Sequence, residues 1–484
     1  METTALKAAI SYESKLVRRN GLFYFFIFGV LGILSVLIPW TRDWIFWENV
    51  AFASSIPIRG VYFLNLFQSL IVIFIICDIE RKRRKAETRE VLSVRPISNR
   101  QSLLGEFLGI LVPFLAVDII FMIVCVVIGV IIPDSPVNLW VNLFYLLTLV
   151  LPALVFITGL SLLVNKLFKQ PLISWVTLTA FLYFACNYWV TPLYGILDFR
   201  GSLLPSSFST LIGFVYLEDY LLQRFVFLFL GIGFLCFAVL FAKRKPNTSD
   251  RKRYLVVPAS LFLVLALVLG GIYVGKFQAR LENRIAYRET FLKYNEYPTS
   301  RVLTHDVTFH PGGEKFSATS RMSIQNRKKV KMDKLLLFLN PGLEIGKIES
   351  NGQSLSFSRD YQVIVIDHPL APGEEIELEV EYEGRIDEDI YQVNIPDDEF
   401  FSPAARYSQK ENYGRRRAFV SSGFTLLVPE VMWYPMTVPP VELQASKEIN
   451  FTDYTLHVKN PGEMTVLSQG TPTREGENVT FNNL

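Results

Sequence analysis

The sequence holds few residues able to do chemistry, and their places are uneven. Asp118 stands inside the apolar run "FLGILVPFLAVDIIFMIVCVV". A carboxylate in such a run is a functional candidate by default, because hydrocarbon solvates charge poorly. The four histidines, His305, His310, His368 and His457, all lie in the later half, and none is followed by glutamate. The "HExxH" pattern, which sets two imidazoles and a base around zinc, is therefore absent. So is the "GxxxxGK[ST]" phosphate cradle. His305 and His310, five apart in an expected strand, fall on opposite sheet faces and are read as surface histidines rather than a shared zinc site. The acidic run 387–401, "DEDIYQVNIPDDEFF", lacks cation-ligand spacing and is read as a solvated loop. Asn450 and Asn478 fit glycosylation sequons, which matter only in a secretory eukaryotic setting. No cofactor and no metal is expected.

The elements that must carry these residues divide sharply. Of 484 residues 51% are hydrophobic and 14% aromatic, above the soluble norm. Long apolar runs fill the chain to about Gly275, and dense charge follows from Lys276. A net charge of +3, with its basic residues clustered beside apolar runs, gives no support for nucleic-acid binding. All four cysteines sit in the apolar half, so the later half is not a disulfide scaffold. Seven stretches approach the roughly 20 apolar residues a spanning helix needs: 21–40, 61–77, 107–132, 139–164, 172–192, 225–242 and 255–274. Residues 21–40 are too long for a signal-peptide core and lack a cleavage site, so they are read as a retained helix. Lysine and arginine concentrate in residues 1–20, 81–100, 166–169 and 243–253, which places these inside and everything after Lys276 outside. The lipid bilayer is thus one expected partner. Residues 4–19 set Ala5, Ala9, Tyr12 and Leu16 on one helical stripe, as in an interfacial helix.

Between the second and third runs, residues 78–107, "DIERKRRKAETREVLSVRPISNRQSLLGEF", hold thirteen charged side chains. Arg81 to Lys85 reads as a topology anchor. Ala86 to Val94 suits a short helix, Pro96 ends it, and Ser98 or Asn99 can cap the next helix. This arrangement resembles the permease subunits of ABC-2 type exporters. The family's "E-x-x-x-L-x-x-x-P-I-S-x-x-x-x-L-x-G-K" loop is met here by Glu87, Glu90, Leu92, Pro96, Ile97, Ser98, Leu103, Leu104 and Gly105, with Glu106 where the family has lysine, and Arg95 is counted with them in the coupling loop. The resemblance covers roughly residues 1–242. It implies that the loop docks on a cytoplasmic ABC ATPase subunit, that a second permease copy or related subunit completes the membrane part, and that short re-entrant helices occupy 193–223.

From Arg301 the pattern turns to alternating strands with turns at Pro-Gly-Gly, Asn-Pro-Gly and Asn-Gly, as in antiparallel sheets with one wet face. The order of "LLLFLNPGLEIGKIESNGQSLSFSRD", "LAPGEEIELEVEYEGRI", "SSGFTLLVPEVMWYP" and "FTDYTLHVKNPGEMTVLSQG" resembles the N-terminal β-domain of M1-family (gluzincin) aminopeptidases. In that family the β-domain flanks a zinc-bearing catalytic domain, which this sequence lacks; either the chain is a piece of a longer fused protein or the enzyme has been lost. Trp433, Tyr434 and Pro435 are read as structural, filling the sheet's core.

The expected fold is a polytopic α-helical membrane domain of about seven spans followed by an extracytoplasmic all-β sandwich or saddle domain. In order, residues 1–20 form a cytoplasmic interfacial helix, 21–242 six spans, 243–275 a basic loop and seventh span, 276–300 a helical stalk, and 301–484 the β-domain. The expected function is the permease subunit of an ATP-driven exporter in a bacterial inner membrane, not by itself an enzyme. The alternative is a membrane-anchored fragment of an M1-type metallo-aminopeptidase.

Overall fold

A computed structural model describes residues 2–43, 53–84, 98–131, 136–168, 170–190, 192–202, 207–214, 217–242, 253–396, 418–439 and 452–483. The chain divides into two compact units, one up to Lys276 and the other from Phe277.

The first unit is helical: α1 (Glu2–Arg18), α2 (Gly21–Asp43), α3 (Ser55–Arg83), α4 (Asn99–Ile131), α5 (Leu139–Leu167), α6 (Pro171–Asn187), α7 (Leu217–Phe241) and the start of α8 (Arg253–Tyr294). Each expected apolar run falls largely on one of them, although α6 ends at Asn187, short of the expected 192. Five of these helices are long and apolar enough to cross a membrane, and α1 with the first part of α2 forms a pair bent by 67° that passes the same test together. Asn20 sits at that bend, where its Oδ1 accepts from the Leu22 N–H at 3.0 Å and caps α2. With 17 residues, α6 reaches only about 25 Å, a little short of a hydrocarbon core. The buried stripe of α1 is Ser14 and Val17 with Ala9, Ile10 and Glu13 partly covered, whereas Tyr12, expected on that stripe, is exposed.

Within α5, residues Leu146–Val150 form a wide π-turn. Such a turn misaligns one backbone carbonyl, and the Leu149 oxygen accepts instead from Asn65 Nδ2 of α3 at 3.2 Å. Further along, α5 crosses α7 with backbones nearly touching: a Cβ on Gly159 would lie 2.2 Å from the Gly231 oxygen. The re-entrant helices expected in 193–223 are not found among the described residues. A tight turn at Pro192–Gly195, with Leu193 and Tyr194 in left-handed conformation at φ 52° and 59°, and a small hairpin, β1 (Phe208–Ser209) with β2 (Gly213–Phe214), stand there instead. The interspersed Pro, Gly and Ser of this segment interrupt any helical run.

The second unit has two main sheets and a short hairpin of β11 (Phe419–Val420) with β12 (Thr425–Leu426). The larger pairs, in spatial order, β14 (Thr471–Glu475), β15 (Asn478–Asn483), β13 (Asp453–Val458), β3 (Arg301–Gly312), β4 (Lys315–Gln325), β10 (Glu375–Gly384), β6 (Leu343–Ser350) and β7 (Gln353–Ser354). The smaller pairs β5 (Leu335–Phe338), β9 (Val363–Ile366) and β8 (Phe357–Asp360). The expectation of purely antiparallel sheets is corrected at one pair: β13 runs parallel to β3, with Asp453 opposite Thr304 and Val458 opposite Phe309. The long connection between them allows it, since only a short turn forces antiparallel pairing. Asn351 and Gly352, with φ of 50° and 76°, make the tight turn between β6 and β7 that the Asn-Gly pair announces. All of β5 and β9 is buried, and both sheets feed one apolar core. The expected seventh span and stalk are one uninterrupted helix, α8. Its later turns add Tyr287 and Phe291 to that core.

Candidate functional site: an ionic cluster where the charged loop meets the helices

The loop expected to do work leaves the end of α3 and returns at the start of α4. Glu87, Glu90, Leu92, Arg95, Pro96 and Ile97 lie outside the described residues, and so does the helix expected at 86–94. Both of its anchor points are described. Ser98 caps α4 reciprocally with Gln101: Gln101 N–H donates to Ser98 Oγ at 3.2 Å and Ser98 N–H to Gln101 Oε1 at 3.2 Å. Leu103 is buried against Val239 of α7. Gly105 and Gly109 let α1 lie directly on α4, since a Cβ on Gly105 would stand 2.6 Å from that of Ala9 and one on Gly109 would stand 2.4 Å from Glu13 Cβ.

On this platform sits the densest ionic cluster of the first unit. Arg83, the last residue of α3, pairs through Nη1 with Glu106 of α4 at 2.7 Å and Glu80 at 3.1 Å, and through Nη2 with Glu13 of α1. Lys166, near the end of α5, pairs with Glu80 at 2.7 Å and lies 4.0 Å from Glu106. Arg84 Nη2 donates to the Asn165 oxygen at 2.6 Å. Three carboxylates thus share two cations, with Glu80 and Glu106 almost fully buried. The forked guanidinium suits this work, because it can satisfy several acceptors in one plane. Four helices, α1, α3, α4 and α5, meet in the cluster. Chemically the site can hold and transmit position; it offers no activated nucleophile, and among the described residues no group of three or more His, Cys, Asp or Glu is arranged to hold a metal.

Sequence reasoning missed most of this. Glu106 stood out only as a departure from the loop pattern, Lys166 only as a topology signal, and Glu13 not at all. One signal was available: Glu106 sits at the threshold of an apolar run, three residues beyond Leu103, where an unpaired carboxylate would be costly to bury.

Asp118 lies deeper in the same helix. It is fully buried, and Gln68 Nε2 of α3 donates to its Oδ2 at 2.7 Å. Another buried charge, Arg224 of α7, stands one residue before the expected run 225–242. It donates to the carbonyls of Phe199 and Asp198, both at 2.8 Å, and to Gln223 Oε1 at 2.6 Å, pinning the segment before α7.

In the second unit Trp433 and Pro435 are buried and Tyr434 partly so. The Trp433 ring stands edge-on to Tyr434 at 4.8 Å and to Phe309 at 5.9 Å, in the core as expected. His305 is not the expected surface histidine. It is buried, its Nε2 lies 3.1 Å from Ser320 Oγ, and burial lowers its pKa to about 3. His310 is exposed, so the opposite-face placement holds. His457 lies between Asp306, at 3.1 Å, and Thr480, at 2.9 Å. The acidic run is less solvated than expected over its described part. Asp387 accepts from Tyr287 at 2.6 Å, Asp389 accepts from Asn283 at 3.2 Å, and Arg284 donates to the carbonyls of Tyr391, Gln392 and Ile395.

No family model matches the chain, of permeases or of any other kind. No curated protein matches it either. Among solved structures it is weakly similar to an M1 zinc metallopeptidase from Deinococcus radiodurans, with 18% identity over 38% of this chain and 39% of that one and a TM-score of 0.28. It is similar also to leukotriene A4 hydrolase from Saccharomyces cerevisiae, with 14% identity over 39% of this chain and 27% of that one and a TM-score of 0.24. The chain spans well under half of either protein, and at these scores the likeness assigns neither fold nor activity.

Proposed function

We propose that this chain is the membrane-spanning permease subunit of an ATP-driven exporter of the ABC-2 type. Its amino terminus and the 85–97 loop face the cytoplasm, and the unit after Lys276 faces outward. The loop docks on a cytoplasmic ATPase that supplies hydrolysis, and a second copy or a related subunit completes the translocation path. The β-domain, read on its sequence as resembling the N-terminal domain of M1 aminopeptidases, adds an outer binding or support module. One observation supports this reading above the others: the ionic cluster of Arg83, Lys166, Glu13, Glu80 and Glu106 joins four helices at the two anchor points of the loop. A topology anchor alone needs basic residues, not buried carboxylates gathered from three helices.

The test is to purify the full chain from its native membranes, identify a co-purifying ATPase bearing a phosphate-binding loop, and reconstitute the two in vesicles. ATP hydrolysis is expected to rise over that of the ATPase alone, and reversal of charge at both Glu90 and Arg95 is expected to abolish the rise. Absence of any bound ATPase, with transport phenotypes untouched by the reversals, defeats the exporter reading.

A further inference from the structure

Asp118 has the surroundings of a group that carries a proton. It is fully buried, it makes one hydrogen bond, from Gln68 Nε2 at 2.7 Å, and its other oxygen, Oδ1, has no partner. An ionised carboxylate so placed lacks the compensation that burial demands: paired charge or several donors.

Among the described residues no cation pairs with it from the elements packed on α4. At the loop end Glu13, Glu80, Arg83 and Lys166 are committed to Glu106 and to one another, and Asp78 of α3 pairs with Arg81 and Lys82. Glu106 is twelve residues from Asp118 in the same helix, about 18 Å along the axis. From α7, Asp219 pairs with Lys276, and Arg224 is held by carbonyls. Over residues 21–35, α2 brings only Tyr24, which is exposed. On α3 the neighbours of Gln68 are themselves buried polar groups: Asn65, whose Oδ1 has no partner, and Ser69, which donates to the Asn65 carbonyl at 2.6 Å. Between Gln68 and the ionic cluster α3 turns apolar, with Val72, Ile73, Ile75 and Ile76 fully buried. This conformation therefore has no polar chain joining Asp118 to the loop end along α3.

We propose that Asp118 is a proton-binding site in the interior of the helical bundle, with the proton on Oδ1 and Gln68 donating to Oδ2. Binding forms one O–H bond on the carboxylate, with water as the source and acceptor of the proton. Exchange requires α3 and α4 to part, which makes the proton a marker of the bundle's conformation. The inference stands on burial and hydrogen bonding and is independent of the exporter reading.

Infrared spectroscopy of the detergent-solubilised full chain tests it, because a carboxylic acid carbonyl absorbs apart from amide and carboxylate. At neutral pH the wild type is expected to show a carboxylic acid band that is lost in Asp118→Asn and shifted in Gln68→Leu. Identical spectra of wild type and Asp118→Asn in that region overturn the proposal. Should Asp118→Asn not accumulate, Gln68→Leu decides alone: a shifted band supports the proton, and an unmoved spectrum in the carboxylic acid region overturns it.

Discussion

Helix α4 and strand β10 are built from opposite plans. The helix exposes Val112, Ile119, Ile120, Ile123, Val127, Val130 and Ile131 while it buries Glu106 and Asp118. The strand exposes Glu375, Glu377 and Glu383 while it buries Ile376, Leu378, Val380 and Tyr382. Burial of apolar surface away from water explains the strand completely. It cannot explain the helix, whose outer face would be unfavourable in water, whereas hydrocarbon makes that face neutral and drives polar groups inward. The difference teaches that polar groups are placed by opposite rules in the two units: the carboxylates of β10 face outward, whereas Glu106 and Asp118 of α4 face inward to partners on neighbouring helices.

Arg83→Ala is the strongest way to break that contrast. It leaves Glu13, Glu80 and Glu106 gathered around Lys166 alone, and loss of one partner from a buried ion pair typically costs about 3–5 kcal/mol. The expected outcome is a chain that fails to accumulate, or a large fall in unfolding temperature by light scattering in detergent, partly restored by Glu106→Gln. A change no larger than a surface substitution would mean the cluster is not holding the helices. Next in size is Gly231→Val, which forces a side chain into space where even a Cβ would lie 2.7 Å from the Phe156 backbone. Overpacking of this kind typically costs about 1–3 kcal/mol. Unfolding temperature reads it, and Gly271→Val, at a position with nothing within 4 Å, is the matched control expected to change little.

In the sheet unit two buried titratable groups should give slopes of opposite sign. His305 has its folded pKa lowered by burial to about 3, against 6.5 for the free side chain, so the unfolded chain binds the extra proton. Its contribution to stability is full above about pH 6.5 and is lost as pH falls toward 3. Asp389 is shifted the other way, raised to about 7 by burial and then by the neighbouring Asp387 charge. There the folded chain binds the extra proton, so stability is full below about pH 4 and declines as pH rises through 7. Because the two windows overlap, the slopes largely cancel in the wild type, and unfolding of the full chain followed by its β-sheet circular dichroism should show stability falling as pH rises from about 4 to 7 in His305→Gln and rising over the same range in Asp389→Asn. Unchanged slopes in both would mean that neither site is as dry as the structure shows.

Much of this architecture was legible because its signals are periodic. Apolar runs announce helices, two-residue alternation announces β3, β4 and β10, and Asn351-Gly352 announces its own turn. Three features were hidden for physical reasons. The parallel pairing of β13 with β3 joins strands about 150 residues apart, and no local pattern encodes a partner at that distance. The continuity of α8 was obscured by a change from apolar to charged composition, which alters the helix's surroundings but not its propensity. The ionic cluster draws Glu13, Glu80, Arg83, Glu106 and Lys166 from four helices, so only the packing reveals that they meet. Of the loop residues, Ser98 is the cap its position announces, while Leu103 makes a packing contact and Gly105 a close approach between helices.

The smallest effect should come from a pair that looks much like those of the cluster. Arg321 Nε of β4 donates to Glu379 Oε2 of β10 at 2.9 Å, across directly paired residues of neighbouring strands. Its distance is close to that between Arg83 and Glu106, at 2.7 Å. Its surroundings differ, since the Arg321 side chain is 68% exposed and that of Glu379 30%, against 17% and 4% for the buried pair. Water and salt screen the exposed charges, and holding two long side chains together costs entropy, so such pairs contribute about 0.2–1 kcal/mol. Glu379→Gln is therefore expected to lower the unfolding temperature barely above error, and added salt should erase the difference. The same salt should leave the loss caused by Arg83→Ala nearly intact, because ions screen buried pairs much less. If the two variants respond to salt alike, the cluster is as wet as the sheet surface, and distance rather than environment governs both.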